Sequence, residues 1–214
     1  MKQAVMTEPG KIEFRDVEKP IPGSDEILIQ ITRIGICGSD IHVYHGLHPY
    51  TGYPVVQGHE VSGVVAEVGD SVQGFEPGDP VTFMPQITCG RCYPCRHGQD
   101  HICDSLKVMG FQADEAAQEY FPVSAEKVLK IPAEVDLKEG AMIEPAAVAL
   151  HALGRADIGL EGGVAGKKVA VLGAGPIGNL VAQSAKALGA QNVLFTDLSE
   201  FRLQIPTLFP SPSI

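Results

Sequence analysis

The run Lys167-Lys-Val-Ala-Val-Leu-Gly-Ala-Gly-Pro-Ile-Gly178 decides the fold predicted for the last part of the chain. A short apolar strand leads directly into a glycine turn of the pattern G-x-G-x-x-G, and a helix-like stretch rich in Ala and Leu follows at 177–188. A second apolar strand, 192–196, ends in Asp197. This order predicts a βαβ unit of a parallel sheet. A glycine turn in some other α/β sheet is the alternative.

The glycine turn predicts a dinucleotide site. The first glycine of such a turn permits the tight bend, the second lets the pyrophosphate approach, and the third allows close packing of helix on strand. The amino terminus of the helix also favours phosphate charge. The residues assigned to this role are Gly173, Gly175, Pro176, Ile177 and Gly178.

The end of the second strand predicts which dinucleotide is bound. Asp197 lies where a carboxylate can accept from the adenosine ribose hydroxyls, and it would repel a 2′-phosphate. NAD is therefore favoured over NADP. Arg202 lies nearby and could tolerate the phosphate, which leaves NADP open.

Four of the five cysteines form a compact cluster in the sequence. Two-residue gaps let one tight loop aim successive sulfurs at a point, and four thiolates are the ligand set of a closed, structural zinc site. An iron–sulfur cluster has a similar preference and is the second interpretation. Four unrelated thiols are the third. The predicted zinc ligands are Cys89, Cys92, Cys95 and Cys103.

The fifth cysteine belongs to a different pattern. Cys37 follows a strand-like run at 26–32 and is predicted to lie in a loop, while His59 and Glu60 precede another such run at 61–68. Cys, His and Glu are zinc ligands, and three protein ligands leave a fourth position for water or substrate, as in a catalytic site. Sequence alone does not bring the two segments together. A buried cysteine and an ordinary histidine are an equally good interpretation.

Composition excludes several classes of protein. The 214 residues include 24 Gly and 16 Pro, which indicates many tight turns, and the net charge is −10. An acidic chain argues against nucleic-acid binding. No apolar run approaches the ~18 residues of a membrane span, and no export signal opens the chain. We therefore expect a cytoplasmic protein without a membrane or nucleic-acid partner.

With these motifs on one chain, the sequence resembles the zinc-dependent medium-chain dehydrogenase/reductase family, specifically its sorbitol (polyol, L-iditol 2-) dehydrogenase branch. The resemblance covers about residues 1–204. It implies a mixed α/β fold, with a GroES-like, partly open β-barrel catalytic domain at 1–155 that carries a zinc lobe at about 84–110. An incomplete Rossmann NAD-binding domain at 156–204 would follow. The family also forms homo-oligomers.

The resemblance implies roles for individual residues. The catalytic zinc ligands of the branch fall on Cys37, His59 and Glu60. Glu144 matches its zinc-proximal glutamate, either as a further ligand or in the second shell. Alcohol dehydrogenases of the family usually have a cysteine there, which favours a polyol substrate over a simple alcohol.

The implied reaction needs two zinc ions, one catalytic and one structural, together with NAD. Zinc would stabilise the alkoxide of a secondary alcohol, and the carbon would pass a hydride to NAD, giving a ketone. Ser39 and His42 match the family's proton relay. Threonine or glucose dehydrogenase activity is the alternative within the class. A zinc-stabilised, non-catalytic interaction module is the alternative from another class.

Two features depart from the family. It usually has a glycine near Glu115, so the loop would be strained if that position needs positive φ. After Gln204, three prolines in the tail 205–214 cannot continue a helix. A full dinucleotide-binding sheet has six strands, and the sequence supplies two. It therefore predicts a truncated chain with impaired activity; a genuine short variant is the alternative.

Overall fold

The computed structural model describes residues 1–156 and 163–204. The predicted tail, 205–214, and the segment 157–162 at the predicted domain junction lie outside the described residues. The chain forms two compact units, Met1–Ile143 and a second that begins at Glu144. The domain limits at 155 and 204 stay predictions. None of the helices within the two described ranges is long and apolar enough to cross a membrane.

The described chain contains both helices and strands, which confirms the predicted mixed α/β fold. The strands are β1 (Lys2–Glu8), β2 (Lys11–Asp16), β3 (Glu26–Ile34), β4 (Val61–Val68), β5 (Pro80–Phe83), β6 (Gln86–Ile87), β7 (Lys107–Val108), β8 (Tyr120–Ser124), β9 (Val128–Lys130), β10 (Lys168–Leu172) and β11 (Asn192–Thr196). The helices are α1 (Gly38–Tyr44), α2 (Tyr93–Arg96), α3 (Leu137–Gly140), α4 (Ile143–Ala156), α5 (Pro176–Ala187) and α6 (Glu200–Gln204). Short 3₁₀ turns lie at Asp100–Ile102 and Ala125–Lys127.

A five-stranded antiparallel sheet, in the order β8-β3-β4-β5-β9, forms the body of the first unit. In β8 the residues alternate between partly buried and buried, because successive side chains of a strand point to opposite faces. The core holds β-branched and aromatic side chains from all five strands, including Ile29, Val65, Val81, Phe121 and Val128.

The pairing of β3 with β4 determines where the candidate site lies. Their ladder runs from Ile27 opposite Val68 to Ile34 opposite Val61, with register shifts near Ile29 and Arg33. Such shifts bend the strand and increase its twist. The ladder brings the last residue of β3 beside the first residue of β4. Segments that leave β3 and enter β4 at this end are therefore neighbours.

The second unit contains the predicted βαβ arrangement. Strands β10 and β11 pair in parallel, in register from Lys168 opposite Asn192 to Leu172 opposite Thr196. Helix α5 connects them and begins and ends one residue earlier than predicted. A small apolar cluster that includes Leu153, Ala185 and Ala190 packs this unit together. Helix α6 begins directly after Ser199.

Candidate metal centres and cofactor site

Cys37 lies at the amino terminus of α1, three residues beyond β3. The sequence predicts a loop for Cys37 itself, which is confirmed, but it does not predict the seven-residue helix α1 that begins directly after it. The carboxylate of Asp40 accepts a hydrogen bond from the backbone nitrogen of Cys37 at 2.8 Å. An acidic side chain at this position caps a helix by satisfying a free N–H group. The cap fixes the backbone of Cys37 and leaves its thiol available.

His59 and Glu60 immediately precede β4, so the β3–β4 ladder brings them to Cys37. The candidate ligand atoms of the three residues all lie within 4.8 Å of one another. Two donors bound to one zinc at ~2.0–2.3 Å can be no more than ~4.6 Å apart. The donor set therefore fits a zinc ion after small adjustments. Both His59 and Glu60 are buried, at 6% and 9% exposure.

Gly35 contributes to this site in a way the sequence did not reveal. Its backbone nitrogen donates to the backbone oxygen of Glu60 at 2.6 Å. A methyl group added at Gly35 would lie 2.9 Å from Cβ of Glu60 and would also strike its carboxylate. Position 35 therefore needs a residue without a side chain, because Glu60 occupies the space above it.

Electrostatics favour charged forms of Cys37 and His59. Contact with His59 lowers the pKa of the Cys37 thiol, although partial burial opposes this. Burial would lower the pKa of His59, but the Cys37 thiol and the carboxylates of Glu115 and Asp40 outweigh it and raise the pKa to about 9. Burial raises the pKa of Asp40. Without a metal the pocket thus favours a thiolate beside an imidazolium, and a bound metal ion would have to displace the proton from the histidine nitrogen that it occupies.

Glu115 lies against this pocket and is fully buried. Its Oε2 atom is 3.8 Å from Nδ1 of His59, and Oδ1 of Asp40 lies at the same distance. Within the described ranges only glycines have positive φ, so the backbone strain considered for Glu115 is absent. From the sequence, Glu115 was notable only because the family usually has a glycine near this position. Its proximity to His59 depends on long-range packing.

The four clustered cysteines also converge. Their sulfur atoms lie within 4.8 Å of one another, and the structure has them as free thiols rather than disulfides. Strands β6 and β7 pair at the base of the lobe that carries them. Four sulfurs at this spacing fit one tetrahedral zinc ion. The converging residues are Cys89, Cys92, Cys95 and Cys103.

Backbone amides surround the sulfurs and partly compensate their charge. The nitrogens of Cys89 and Ser105 donate to Sγ of Cys103 at 3.3 and 3.4 Å. Amides of Arg91 and Cys92 lower the pKa of Cys89 to about 6. Burial and neighbouring thiols raise the pKa of Cys95 to about 12. Cys89 is therefore the more readily ionised of these two thiols, and a metal must displace the proton of Cys95.

The glycine turn after β10 has the features expected of a pyrophosphate site. Gly173 has φ of +109° and donates to the carbonyl of Thr196 at 2.7 Å. A side chain at Gly178 would collide with the carbonyl of Gly173, so this glycine permits close packing of helix on strand. Gly175 caps α5 and faces open space. Pro176 and Ile177 form the first turn of that helix. The turn leaves room for an anion at the helix amino terminus.

Asp197 lies at the carboxyl end of β11, as predicted. It accepts hydrogen bonds from the backbone nitrogens of Ala174 and Ser199, both at 2.8 Å, and these bonds lower its pKa. Arg202 has a guanidinium nitrogen 3.8 Å from the same carboxylate. Asp197 and Arg202 both line an open cleft of about 650 Å³ at the ends of β10 and β11. Ligands of such sheets bind at this edge.

The remaining predicted residues lie on helices. Ser39 and His42 are three residues apart on α1, which places them on one face of the helix. Ser39 makes a hydrogen bond to the Cys37 thiol, and His42 is exposed. Glu144 is in the first turn of α4, in the second unit. The roles of all three stay predictions.

Comparison with known proteins places this architecture in a class. Residues 23–133, more than half of the chain, match the family model of the alcohol dehydrogenase GroES-like domain. The chain belongs to the zinc-dependent medium-chain dehydrogenase family.

The chain is similar to several proteins that are named as dehydrogenases. The chain is 42% identical over 182 residues to 2-dehydro-3-deoxy-L-galactonate 5-dehydrogenase of Pseudoalteromonas atlantica, covering 85% of the chain and 52% of that protein. It is 36% identical over 208 residues to sorbitol dehydrogenase of Bacillus subtilis, covering 95% and 58%. It is also similar to the crystal structure of galactitol-1-phosphate dehydrogenase from Escherichia coli, with a TM-score of 0.89 and 33% identity over 97% of the chain and 59% of that structure. The chain thus spans between half and three-fifths of the length of these relatives.

Proposed function

We propose that the chain carries the metal-binding part and the first βαβ unit of an NAD-dependent zinc dehydrogenase. The reaction is oxidation of a secondary hydroxyl of a polyol to a ketone. The observation that carries this proposal is the convergence of Cys37, His59 and Glu60 within 4.8 Å at the ends of β3 and β4. A buried set of one thiolate, one imidazole and one carboxylate is suited to a zinc ion with an open position.

Charge distinguishes the two metal sites. Cys37 and Glu60 supply two negative charges, so with neutral His59 they balance a divalent ion and leave it electrophilic. Four thiolates leave a net charge of −2, which suits a structural ion among backbone amides. When bound, zinc supplies a Lewis acid and NAD supplies a hydride acceptor.

The residues of α1 are suited to remove the alcohol's proton. Ser39 contacts the Cys37 thiol, and its hydroxyl can both donate and accept. His42 lies one helical turn further on and is exposed, so it can release a proton to water. We assign Ser39 as the inner and His42 as the outer member of the relay.

Glu144 is the residue on which the polyol assignment depends most. As a permanent fourth ligand, Glu144 would bring the net charge of the zinc ion and its ligands to −1 and would weaken the Lewis acid. We therefore assign Glu144 as a transient ligand or one in the second shell. The names of the relatives, which include sorbitol and galactonate dehydrogenases, support a polyhydroxylated substrate.

The cofactor is NAD in this proposal. Asp197 is held ionised in the cleft by two backbone hydrogen bonds, and a negative charge there repels a 2′-phosphate. The proposal also includes two zinc ions per chain and a cytoplasmic location.

The test combines metal analysis with turnover. We expect two zinc ions per purified chain and one for Cys37→Ser. Because the sequence predicts impaired activity, we expect only weak NADH formation with sorbitol or L-iditol, which Cys37→Ser abolishes. L-threonine, glucose and L-galactonate serve as the alternative substrates, and NADP as the alternative cofactor. Fewer than one zinc per chain would contradict both metal sites.

A second candidate is a zinc-stabilised module without catalytic activity. The observation that favours it is the four-cysteine cluster, whose closed ligand set would hold a loop together without leaving an open position for substrate. A stable protein with two zinc ions and no turnover on any of these substrates would favour the module over the dehydrogenase.

A further inference from the structure

Asn179 is a polar residue at a core position of helix α5. The buried residues of this helix are Asn179, Ala182 and Ala185, and the two alanines are typical of a buried helix face. Asparagine is a weaker helix former than alanine, and a buried amide is costly unless hydrogen bonds satisfy it. Asn179 is only 9% exposed, so its hydrogen-bond partners indicate its role.

The side chain of Asn179 binds the glycine turn that precedes the helix. Its Nδ2 atom donates to the backbone oxygens of Ala174 at 2.7 Å and of Gly175 at 3.0 Å. The backbone nitrogen of Asn179 also donates to the Gly175 oxygen at 2.9 Å. A side-chain amide nitrogen has two N–H donors, and the turn takes both of them. One residue thus holds two successive carbonyl groups of the turn.

Ala174 is held at both of its backbone polar groups. Its nitrogen donates to the carboxylate of Asp197 at 2.8 Å, and its oxygen accepts from Asn179. Ala174 is itself fully buried, so water competes little for these bonds. The peptide group that joins Ala174 to Gly175 therefore has a fixed orientation.

The orientation of this peptide group determines where an N–H donor points. The peptide is trans, so its oxygen and its N–H group lie on opposite sides. With the Ala174 oxygen turned toward Asn179, the N–H group of Gly175 points to the other side of the turn. A side chain at Gly175 would meet no atom within 4 Å, so the turn is open at this residue. Pro176 has no N–H group, so an anion at the start of α5 depends more on the donor of Gly175.

We propose that Asn179 is a positioning residue of the dinucleotide site: it holds the carbonyl groups of Ala174 and Gly175 on the helix side and thereby directs the Gly175 N–H group toward the pyrophosphate. Without these bonds the peptide group would be free to rotate and to present a carbonyl oxygen, which repels phosphate. The inference rests on the proposed function only in taking the turn at 173–178 as a dinucleotide site. The glycine pattern itself assigns no role to residue 179.

The first test measures NAD affinity by calorimetric titration of the full 214-residue chain. Leucine has nearly the shape of asparagine but no donor, so Asn179→Leu removes the two bonds. Gln183→Leu is the control, because it removes an exposed amide from the same helix. We expect Asn179→Leu to weaken NAD binding by about tenfold or more, since hydrogen bonds to charged groups are the strong ones. Gln183→Leu should bind NAD like the wild type.

Urea unfolding separates this role from a merely structural one. Each titration is performed under conditions in which the variant is folded, so a loss of stability alone does not change the NAD affinity. If Asn179→Leu lowers the free energy of unfolding but binds NAD as tightly as the wild type, the proposal is wrong.

The second test observes the Gly175 N–H group directly by NMR. In the protein without NAD, we expect its residual dipolar coupling to change in Asn179→Leu, while the couplings of β10 and β11 stay the same. An unchanged coupling overturns the proposal. If the variant does not fold, the wild type decides: NAD must move the Gly175 amide proton downfield, and an unmoved signal overturns the proposal. A wild type that gives no binding heat with NAD contradicts the proposed function instead, and the dipolar coupling then decides whether Asn179 fixes the turn.

Discussion

The carboxylate of Asp197 accepts a hydrogen bond at 2.8 Å from the backbone nitrogen of Ala174, 23 residues earlier in the chain. The bond joins the end of β11 to the glycine turn that follows β10. The residue proposed to choose between NAD and NADP therefore also helps to hold the turn that would receive the pyrophosphate. Changes at Asp197 should affect both properties.

Replacing Asp197 with asparagine tests this double role. Asparagine has one acceptor oxygen in place of two, so one of the bonds from Ala174 and Ser199 is lost. We expect the free energy of unfolding to fall by about 1–2 kcal/mol and the preference for NAD over NADP to shrink. Urea unfolding and calorimetric titration with both dinucleotides measure these effects. Asp70→Asn, at an exposed aspartate, is the control. An unchanged preference would remove Asp197 from cofactor selection.

Alanine substitutions at two helix glycines, Gly178 in α5 and Gly154 in α4, are expected to change the free energy of unfolding in opposite directions. Gly178→Ala places a methyl group against the carbonyl of Gly173, and we expect it to destabilise the protein by about 1–3 kcal/mol. Gly154→Ala, in α4, meets no atom within 4 Å and should stabilise the helix by about 0.5–1 kcal/mol. Chemical unfolding of both variants is the measurement. Equal effects would contradict the close approach at Gly178.

A second glycine pair tests the mixed metal site. In Gly35→Ala the new methyl group displaces Glu60, and we expect zinc affinity at this site to fall by about tenfold or more. Gly38→Ala, three residues away in α1, meets no atom within 4 Å and should leave affinity unchanged. Competition with a chelator distinguishes the two. Normal zinc binding by Gly35→Ala would show that Glu60 is not a required ligand.

Removing one thiol tests the four-cysteine lobe. Cys92→Ser leaves three thiolates, and we expect the zinc content to fall from two ions to one, with faster proteolysis inside 86–108, because the bound ion holds the loop together. His97→Gln, an exposed residue of the same lobe, should keep both ions. Elemental analysis and limited proteolysis report the result. Two zinc ions in Cys92→Ser would exclude a four-cysteine site.

Local patterns in the sequence predicted the elements that depend on near neighbours. Strands β3 and β4 follow from apolar runs, the turn at Gly173 from its glycine spacing, and the sulfur cluster from cysteines that share one loop. These three features rest on residues close in the chain, so periodicity and spacing were sufficient to predict them. The mixed α/β family fold came from the resemblance to the family that these motifs carry.

The sequence missed what depends on distant segments. Helix α1 begins where the carboxylate of Asp40 accepts a hydrogen bond from the backbone nitrogen of Cys37. The glycine-rich sequence around Cys37 does not predict this bond. Glu115 reaches His59 through backbone bonds to Val56, 59 positions back, and Gly35 is needed only because Glu60 packs over it. No local pattern carries such information.

The β3–β4 ladder also has a kinetic consequence. Its pair nearest to the connecting segment, Ile34 and Val61, joins residues 27 positions apart, so the segment between them must close before the two strands can pair. Until that pair forms, Cys37 and His59 belong to separate segments of an open chain. Metal binding at this centre therefore depends on folding of the sheet. The rate at which the bound ion becomes resistant to a chelator reports the rate at which β3 pairs with β4.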